Sequence, residues 1–223
     1  GSTAGNAAFG TAVAVDGIRM GNNASFGNMN GIDTRSIAIA NIESVEVMTG
    51  VPSAEYGDLN SGMVNIHTKK GKTPWEILLA INPRTEQLSF SKGIDLGNDK
   101  GIVNISGEWA KATQKLSSPY NSYTRRGFSV GYNNTFQEAF RFNIGFTGNI
   151  GGMNTKDDPD AYTGEYTKVR DNVFRINTSL NWLLNKSWIT NVKFDASVYY
   201  NDNYLHAHTP YSYASEQPAA HTE

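Results

Sequence analysis

Hydrophobic and polar residues alternate one by one over most of the chain after residue 72. In residues 140–147, apolar side chains occupy the even positions, and polar side chains or glycine occupy the odd ones. A period of two sends neighbouring side chains to opposite faces of a β-strand, so such segments predict about seven consecutive strands. The segments are 75–82, 86–96, 103–109, 128–133, 140–147, 174–184 and 192–200.

The predicted strands are joined alternately by short and long connections. Residues 136–139 and 184–187 form short turns, whereas 111–123, 151–169 and the segment after 201 are long and polar. Transmembrane β-barrels have short turns at one end, long loops at the other and an apolar band that faces lipid. The layout therefore predicts antiparallel strands of a truncated transmembrane β-barrel.

Residues 1–72 follow a different pattern, with short strands and frequent turns. The first predicted strand, 11–15, ends at Asp16-Gly17, a dipeptide that favours a tight turn. A polar Gly/Asn-rich loop follows at 21–34. We predict a small α+β unit with further strands at 44–48 and 61–68, a short helix at 37–42 and one helical turn at 52–56.

Composition limits the possible functions. Charged residues make up 18% of the 223 residues, fewer than the roughly 25% of soluble domains, and the net charge is −2. Without a basic face, the chain is not predicted to bind nucleic acid. The absence of cysteine excludes disulfides and cysteine metal sites. No run of about 18 apolar residues and no signal peptide is present, and we expect a mature or truncated sequence.

The segment 41–71 carries a specific pattern. It reads Ile-Glu-x-Val-Glu-Val, then a glycine, a small-residue turn with Tyr-Gly, and finally Gly-x-Val-Asn-Ile-x-Thr-Lys-Lys-Gly. This pattern resembles the end of the plug domain of TonB-dependent outer-membrane receptors, and 13–18 resembles an earlier plug strand. The residues that carry the resemblance are expected to have structural roles: Asp16, Gly17, Glu43, Glu46, Gly50, Tyr56, Gly57, Gly62, Asn65, Lys69 and Gly71.

The resemblance implies an organisation and a function. Residues 1–72 would be the C-terminal part of a plug, and 73–223 the first strands of a barrel that has about 22 strands in the whole receptor. Such a receptor lies in the outer membrane of a Gram-negative bacterium, contacts its lipid, and imports a scarce nutrient when a TonB-type periplasmic protein supplies energy. The segment that contacts that protein would be absent here. Thr49 departs from the family, which commonly has a basic residue before the first glycine.

The resemblance does not identify the nutrient, which could be an iron chelate, cobalamin or an oligosaccharide. Aromatic side chains in the predicted outer loops could stack on a sugar or a chelate. The candidates are Tyr120, Tyr123, Tyr162 and Tyr166.

Metal sites are considered and not predicted. His206 and His208 would share one face of a strand, as a metal pair would, but we interpret them as polar residues of a wet loop. The acidic run at 157–160 could bind calcium, although a solvated turn is the simpler interpretation.

Two other classes of function are weighed. Glu43 and Glu46 could be an acid–base pair, but residues three apart on a strand point to opposite faces. We therefore predict no catalytic residue, no cofactor and no enzymatic activity. The alternative to a receptor is a secreted β-sandwich, with a lectin-like binding or adhesion function. Its strands would average about 5–6 residues, whereas strands of about 10 residues suit a barrel.

Overall fold

A computed structural model describes residues 12–20, 37, 39–49, 62–115, 118–156, 164, 166–209 and 220–222. These residues form a four-stranded sheet, followed in sequence by an eight-stranded sheet. Among them, no helix is long and apolar enough to cross a membrane.

The small sheet is built from the N-terminal part of the chain. Its strands are β1 (Ala12–Val15), β2 (Ile18–Arg19), β3 (Ile42–Met48) and β4 (Met63–Thr68), and a 3-10 turn at Ile39–Asn41 leads into β3. The strand order is β2-β1-β4-β3, with β1 parallel to β4 and the other pairs antiparallel. Apolar side chains of β1 and β4, with Met20 just after β2, form its core: Ala12, Ala14 and Met63 in one cluster, and Val15, Met20 and Ile66 in the other.

The eight-stranded sheet, called the wall below, is a meander in which each strand pairs antiparallel with the next. Seven of its strands are long and the eighth has three residues. They are β5 (Thr73–Asn82), β6 (Thr85–Asp95), β7 (Ile102–Lys115), β8 (Ser118–Phe136), β9 (Phe140–Thr155), β10 (Tyr166–Leu183), β11 (Asn191–Thr209) and β12 (Ala220–Thr222).

The two faces of the wall have the polarity opposite to that of a soluble protein. Polar side chains of one parity are buried: Ser89, Ser91, Asn104, Ser106, Glu108, Ser129, Asn149 and Asp171. Apolar side chains of the other parity are exposed, including Ile77, Leu79, Val130, Ile144, Ile176, Trp182 and Val198. The register joins this second set into rows across the wall, such as Ile105, Val130, Phe146, Ile176 and Val198. The predicted alternation is therefore confirmed, with its apolar face outward.

The polar face of the wall, called the inner face, lies against the small sheet. The backbone N–H of Ile39 donates to Glu108 Oε2 on β7, and Arg175 on β10 donates to the carbonyl of Ile18. A β-sandwich would instead bury the apolar faces of two sheets against each other. The alternative of a sandwich therefore has no support in the described residues.

Some predicted boundaries are wrong and others are confirmed. The predicted loops 111–123 and 201 onward are largely strand, because β7 reaches Lys115, β8 begins at Ser118 and β11 continues to Thr209. Strand pairing continues beyond the apolar band, where the alternation that guided the prediction has ended. The turn at 136–139 is confirmed, and so is a short helical segment before β3. The helical turn predicted at 52–56 lies outside the described residues.

Candidate functional site: the seam between the small sheet and the wall

The turn between β1 and β2 is fastened to the end of β4. Asp16 Oδ1 accepts a hydrogen bond from the Thr68 backbone N–H at 2.9 Å, and Oδ2 accepts one from the Thr68 hydroxyl. Lys70 Nζ lies 3.4 Å from Asp16 Oδ1, and Asn65 Oδ1 accepts the N–H of Gly17 at 3.1 Å. Asp16 and Gly17 both have positive φ, 52° and 82°, which Asp and Gly tolerate better than most residues. One carboxylate thus fixes the turn to the end of the small sheet.

Replacing Asp16 with asparagine is expected to destabilise the small sheet by about 1.5–3 kcal/mol, the range for hydrogen bonds to a charged group. Asparagine keeps the size of the side chain and the tolerance of positive φ, so the change isolates the charge and one acceptor. Urea unfolding of the complete protein, followed by a fluorophore on the small sheet, measures the loss. An unchanged midpoint would show that the carboxylate contributes little, and Asp99→Asn, at an exposed wall turn with positive φ, is the matched control.

The segment that follows β4, residues 69–72, runs over the inner face of the wall. Asn133 Nδ2 donates to the carbonyl of Lys70 at 2.8 Å, and Asn104 Nδ2 donates to the carbonyl of Gly71 at 2.9 Å. The backbone passes so close to β6 that a Cβ at Gly93 would lie 2.1 Å from the Gly71 carbonyl oxygen. Gly93 and the two wall asparagines therefore hold residues 69–72 against the inner face. This segment is called the linker below.

Lys69 adds a charged contact between the linker and the wall. Its Nζ lies 2.5 Å from Glu76 Oε2 on β5 and 3.3 Å from the Ser91 hydroxyl on β6, and its backbone N–H donates to the carbonyl of Asn41. The linker is thus held on one side by the small sheet and on the other by the first two wall strands.

A polar cavity of about 70 Å³ separates another part of the small sheet from the wall. Asp16 and Lys70 line it from one side, and Asn143, Arg175 and Asn177 line it from the other. This volume exceeds the space that a single water molecule needs, so the cavity is large enough to hold water. The seam is therefore polar and open to hydration rather than a dry packed interface.

The structure places the remaining motif residues individually. Glu46 Oε2 lies 3.3 Å from His67 Nε2, and Glu43 is exposed at a register irregularity of β3. Gly62 is buried with φ of 95°. Gly50, Tyr56 and Gly57 lie outside the described residues. These placements leave the structural roles expected for the motif residues as predictions.

Of the four tyrosines predicted to bind ligand, Tyr123 and Tyr166 lie on opposite faces of the wall. Tyr123 belongs to the inner-face parity of β8, and Tyr166 to the outer-face parity of β10, where its ring stacks on His208 at 5.1 Å between centroids. The Tyr120 carbonyl accepts a hydrogen bond from the Lys156 N–H, and Tyr162 lies outside the described residues. A shared site for Tyr123 and Tyr166 is therefore not formed, and ligand binding by each remains a prediction.

The interpretation of His206 and His208 as polar residues of a wet loop was wrong, because both lie on β11. Both stack near Tyr166, whose hydroxyl lies 3.3 Å from His206 Nε2. No group of three or more metal-ligating side chains occurs in the part of the chain that the structure describes.

Sequence reasoning missed the charged residues of the inner face, Glu108, Arg125 and Arg175. Each has the inner-face parity of its strand, which is β7, β8 and β10 respectively. A charge of that parity on two neighbouring strands was the signal that could have identified the ion pair of Glu108 with Arg125.

Comparison with known proteins agrees with this arrangement. The family model of the TonB-dependent receptor plug domain matches residues 3–64. The siderophore receptor PiuA from Acinetobacter baumannii has a similar structure, with 15% identity, a TM-score of 0.55, and coverage of 88% of this chain and 29% of its own. The siderophore receptor PirA from the same species has 18% identity, a TM-score of 0.51, and coverage of 91% and 38%. A search of curated proteins found no match.

At such identities the structural similarity shows the fold alone, and the chain spans only about a third of the length of either receptor. The family match lies on the small sheet, and the fold match extends over the wall. Residues 3–64 therefore match the plug domain of TonB-dependent receptors, and the antiparallel strands that follow have a fold similar to that of the two siderophore receptors.

Proposed function

We propose that this chain is part of an outer-membrane receptor that binds a scarce nutrient and imports it by energy-coupled rearrangement of its plug. Residues 1–72 are the C-terminal part of the plug and 73–223 the first strands of the barrel. The observation that carries this proposal is the inverted wall, with buried polar side chains facing the small sheet and exposed apolar side chains on the other face.

The physical basis of the proposal is the solvent on each side of the wall. Lipid favours an apolar outer band, since a lysine or arginine at its middle costs about 2–4 kcal/mol. A barrel of about 22 strands has a lumen too wide for its own side chains, so a folded plug fills it. The polar side chains of the seam and its cavity, which is large enough to admit water, are consistent with a plug that moves against the wall, because water can replace the hydrogen bonds that break.

The nutrient that we propose to test first is an iron chelate, because PiuA and PirA are both siderophore receptors. Cobalamin and oligosaccharides are the alternatives. The partner is a TonB-type periplasmic protein, and the location is the outer membrane of a Gram-negative bacterium. The reaction is transport, with no covalent chemistry and no cofactor.

Uptake by whole cells that express the complete receptor tests this function. Labelled ferric siderophores, cobalamin and an oligosaccharide are each supplied to cells with and without the energy-coupling protein. We expect one ligand to bind in both strains and to accumulate only in the energy-coupled one. Equal accumulation in both strains, or binding of none of the three classes, would contradict the proposal.

A further inference from the structure

Glu108 on β7 is a buried carboxylate that joins the wall to the plug. Its side chain is fully inaccessible to solvent. Oε1 accepts hydrogen bonds from Arg125 Nη2 and from Gln87 Nε2, the latter at 3.3 Å, and Oε2 accepts the backbone N–H of Ile39 at 3.0 Å. One carboxylate oxygen therefore accepts hydrogen bonds from the wall, and the other accepts one from the plug.

The register of the wall explains how Glu108 is oriented. Gln87 on β6 and Arg125 on β8 are both register partners of Ala110, two residues beyond Glu108 on β7. Diagonal neighbours of this kind lie about 7–8 Å apart between backbones, within reach of long side chains. The small Ala110 lies between them, and Gly127 is opposite Glu108. The wall thus fixes the carboxylate before the plug contributes any contact.

We propose that Glu108 is the latch that positions the 3-10 segment of the plug, Ile39–Asn41, against the wall at rest, and that this contact opens when the plug rearranges. When Ile39 moves away, Glu108 retains Arg125 and Gln87. The wall is then not left with an unpaired buried charge, which would make detachment far more costly. Opening the latch at Ile39 breaks its one hydrogen bond to Glu108, while the Asn41 carbonyl keeps its hydrogen bond from the Lys69 N–H.

The linker behaves differently from the latch. Its backbone carbonyls at Lys70 and Gly71 are held by Asn133 and Asn104, and the chain continues directly into β5. The linker, with Asn41 bonded to it, is therefore the fixed end, and the start of the 3-10 segment at Ile39 is the end that moves. The part of this inference that concerns transport rests on the proposed function, whereas the resting contact does not.

Hydrogen exchange in the complete receptor, purified in detergent without ligand, tests the latch. Glu108→Gln leaves a single acceptor oxygen in place of two. Ile39→Pro removes only the plug donor, and proline is tolerated because Ile39 begins its helical segment and is half exposed. We expect the amides of residues 40–43 to exchange about tenfold to a hundredfold faster in each variant, as for loss of a hydrogen bond to a charged group.

The double variant, with both Glu108→Gln and Ile39→Pro, shows whether the two changes break the same contact or act independently. If both changes break the same contact, the double variant exchanges no faster than the single ones. Glu86→Gln, on the exposed face of β6, is the matched control and is expected to leave exchange unchanged. Exchange within twofold of the control in both single variants would overturn the latch, as would additive effects. If Glu108→Gln fails to assemble, Ile39→Pro alone decides, because it leaves the wall intact.

Uptake measured in the same variants distinguishes this inference from the proposed function. Faster exchange in a receptor that imports none of the tested ligands would support the resting contact and contradict the function. Normal uptake by the unaltered receptor, with no effect of either variant on exchange, would support the function and contradict the latch.

Discussion

Arginine at position 79 is expected to lower the stability of the receptor in lipid by about 2–4 kcal/mol, while arginine at position 78 is expected to cost less than about 1 kcal/mol. The two leucines are adjacent on β5 and lie on opposite faces. Leu79 pairs with Leu88 in the exposed apolar band, whereas Leu78 pairs with Ser89, which is buried on the inner face. In the proposed barrel, the same substitution therefore places one charge in lipid and the other in the polar lumen.

The complete receptor, refolded into phospholipid vesicles and unfolded with urea, provides the measurement. Leu78→Arg is the matched control, because it alters the same residue type on the same strand by the same charge and volume. Equal losses at the two positions, or a larger loss at Leu78, would show that the apolar face of the wall does not meet lipid.

Alanine at position 62 is expected to destabilise the plug by about 2–5 kcal/mol, from two separate causes. Gly62 has φ of 95°, where an L side chain costs about 1–2 kcal/mol. A Cβ there would also lie 2.3 Å from the Met48 backbone oxygen on the neighbouring strand. Because that oxygen is part of the backbone, relief requires movement of β3, and overpacking of this kind costs about 1–3 kcal/mol more.

Two other glycines of the motif separate these causes. Gly17 has φ of 82° with open space around a Cβ, so Gly17→Ala is expected to cost about 1–2 kcal/mol. Gly71 has open space and no positive φ, and Gly71→Ala is expected to be nearly neutral. Urea unfolding followed by a fluorophore on the plug ranks the three variants. A Gly62→Ala loss no larger than that of Gly17→Ala would contradict the close approach of β3 to residue 62.

The alternation of apolar and polar side chains predicted most strands of the wall. Where that alternation is absent, it could not predict which face a side chain occupies or where a strand ends. Residues 77–81 of β5 are all apolar, so no period assigned Leu78 and Leu79 to opposite faces, and pairing with β6 decided it. The outer ends of β7, β8 and β11 were predicted as loops because their side chains are polar on both faces. Beyond the apolar band, backbone pairing continues together with side-chain contacts such as the stacking of Tyr166 on His208.

The seam was predictable only in part. The pattern at 41–71 singled out Asn65, Lys69 and Gly71, and the structure places them beside the β1–β2 turn or against the wall. The pattern at 41–71 gave no indication that Asn104, Asn133 or Glu108 would contact the plug. These residues belong to distant strands, and their positions depend on the register of the wall. Long-range pairing decides which polar wall residues meet the plug, and a single sequence does not record it.

Single cysteines along β10, each carrying a nitroxide, test the central claim most directly. These 223 residues contain no cysteine, and any cysteine elsewhere in the complete receptor is replaced first. The positions run from 174 to 182 in the complete receptor in lipid. Collisions with oxygen, which is enriched in lipid, should peak at Phe174, Ile176 and Trp182, and collisions with a water-soluble nickel complex should not. The odd positions, including Arg175 and Asn177, should show low oxygen access. Oxygen access that is equal at both parities, or highest at the odd positions, would contradict a wall with its apolar face in the bilayer and its polar face on the plug.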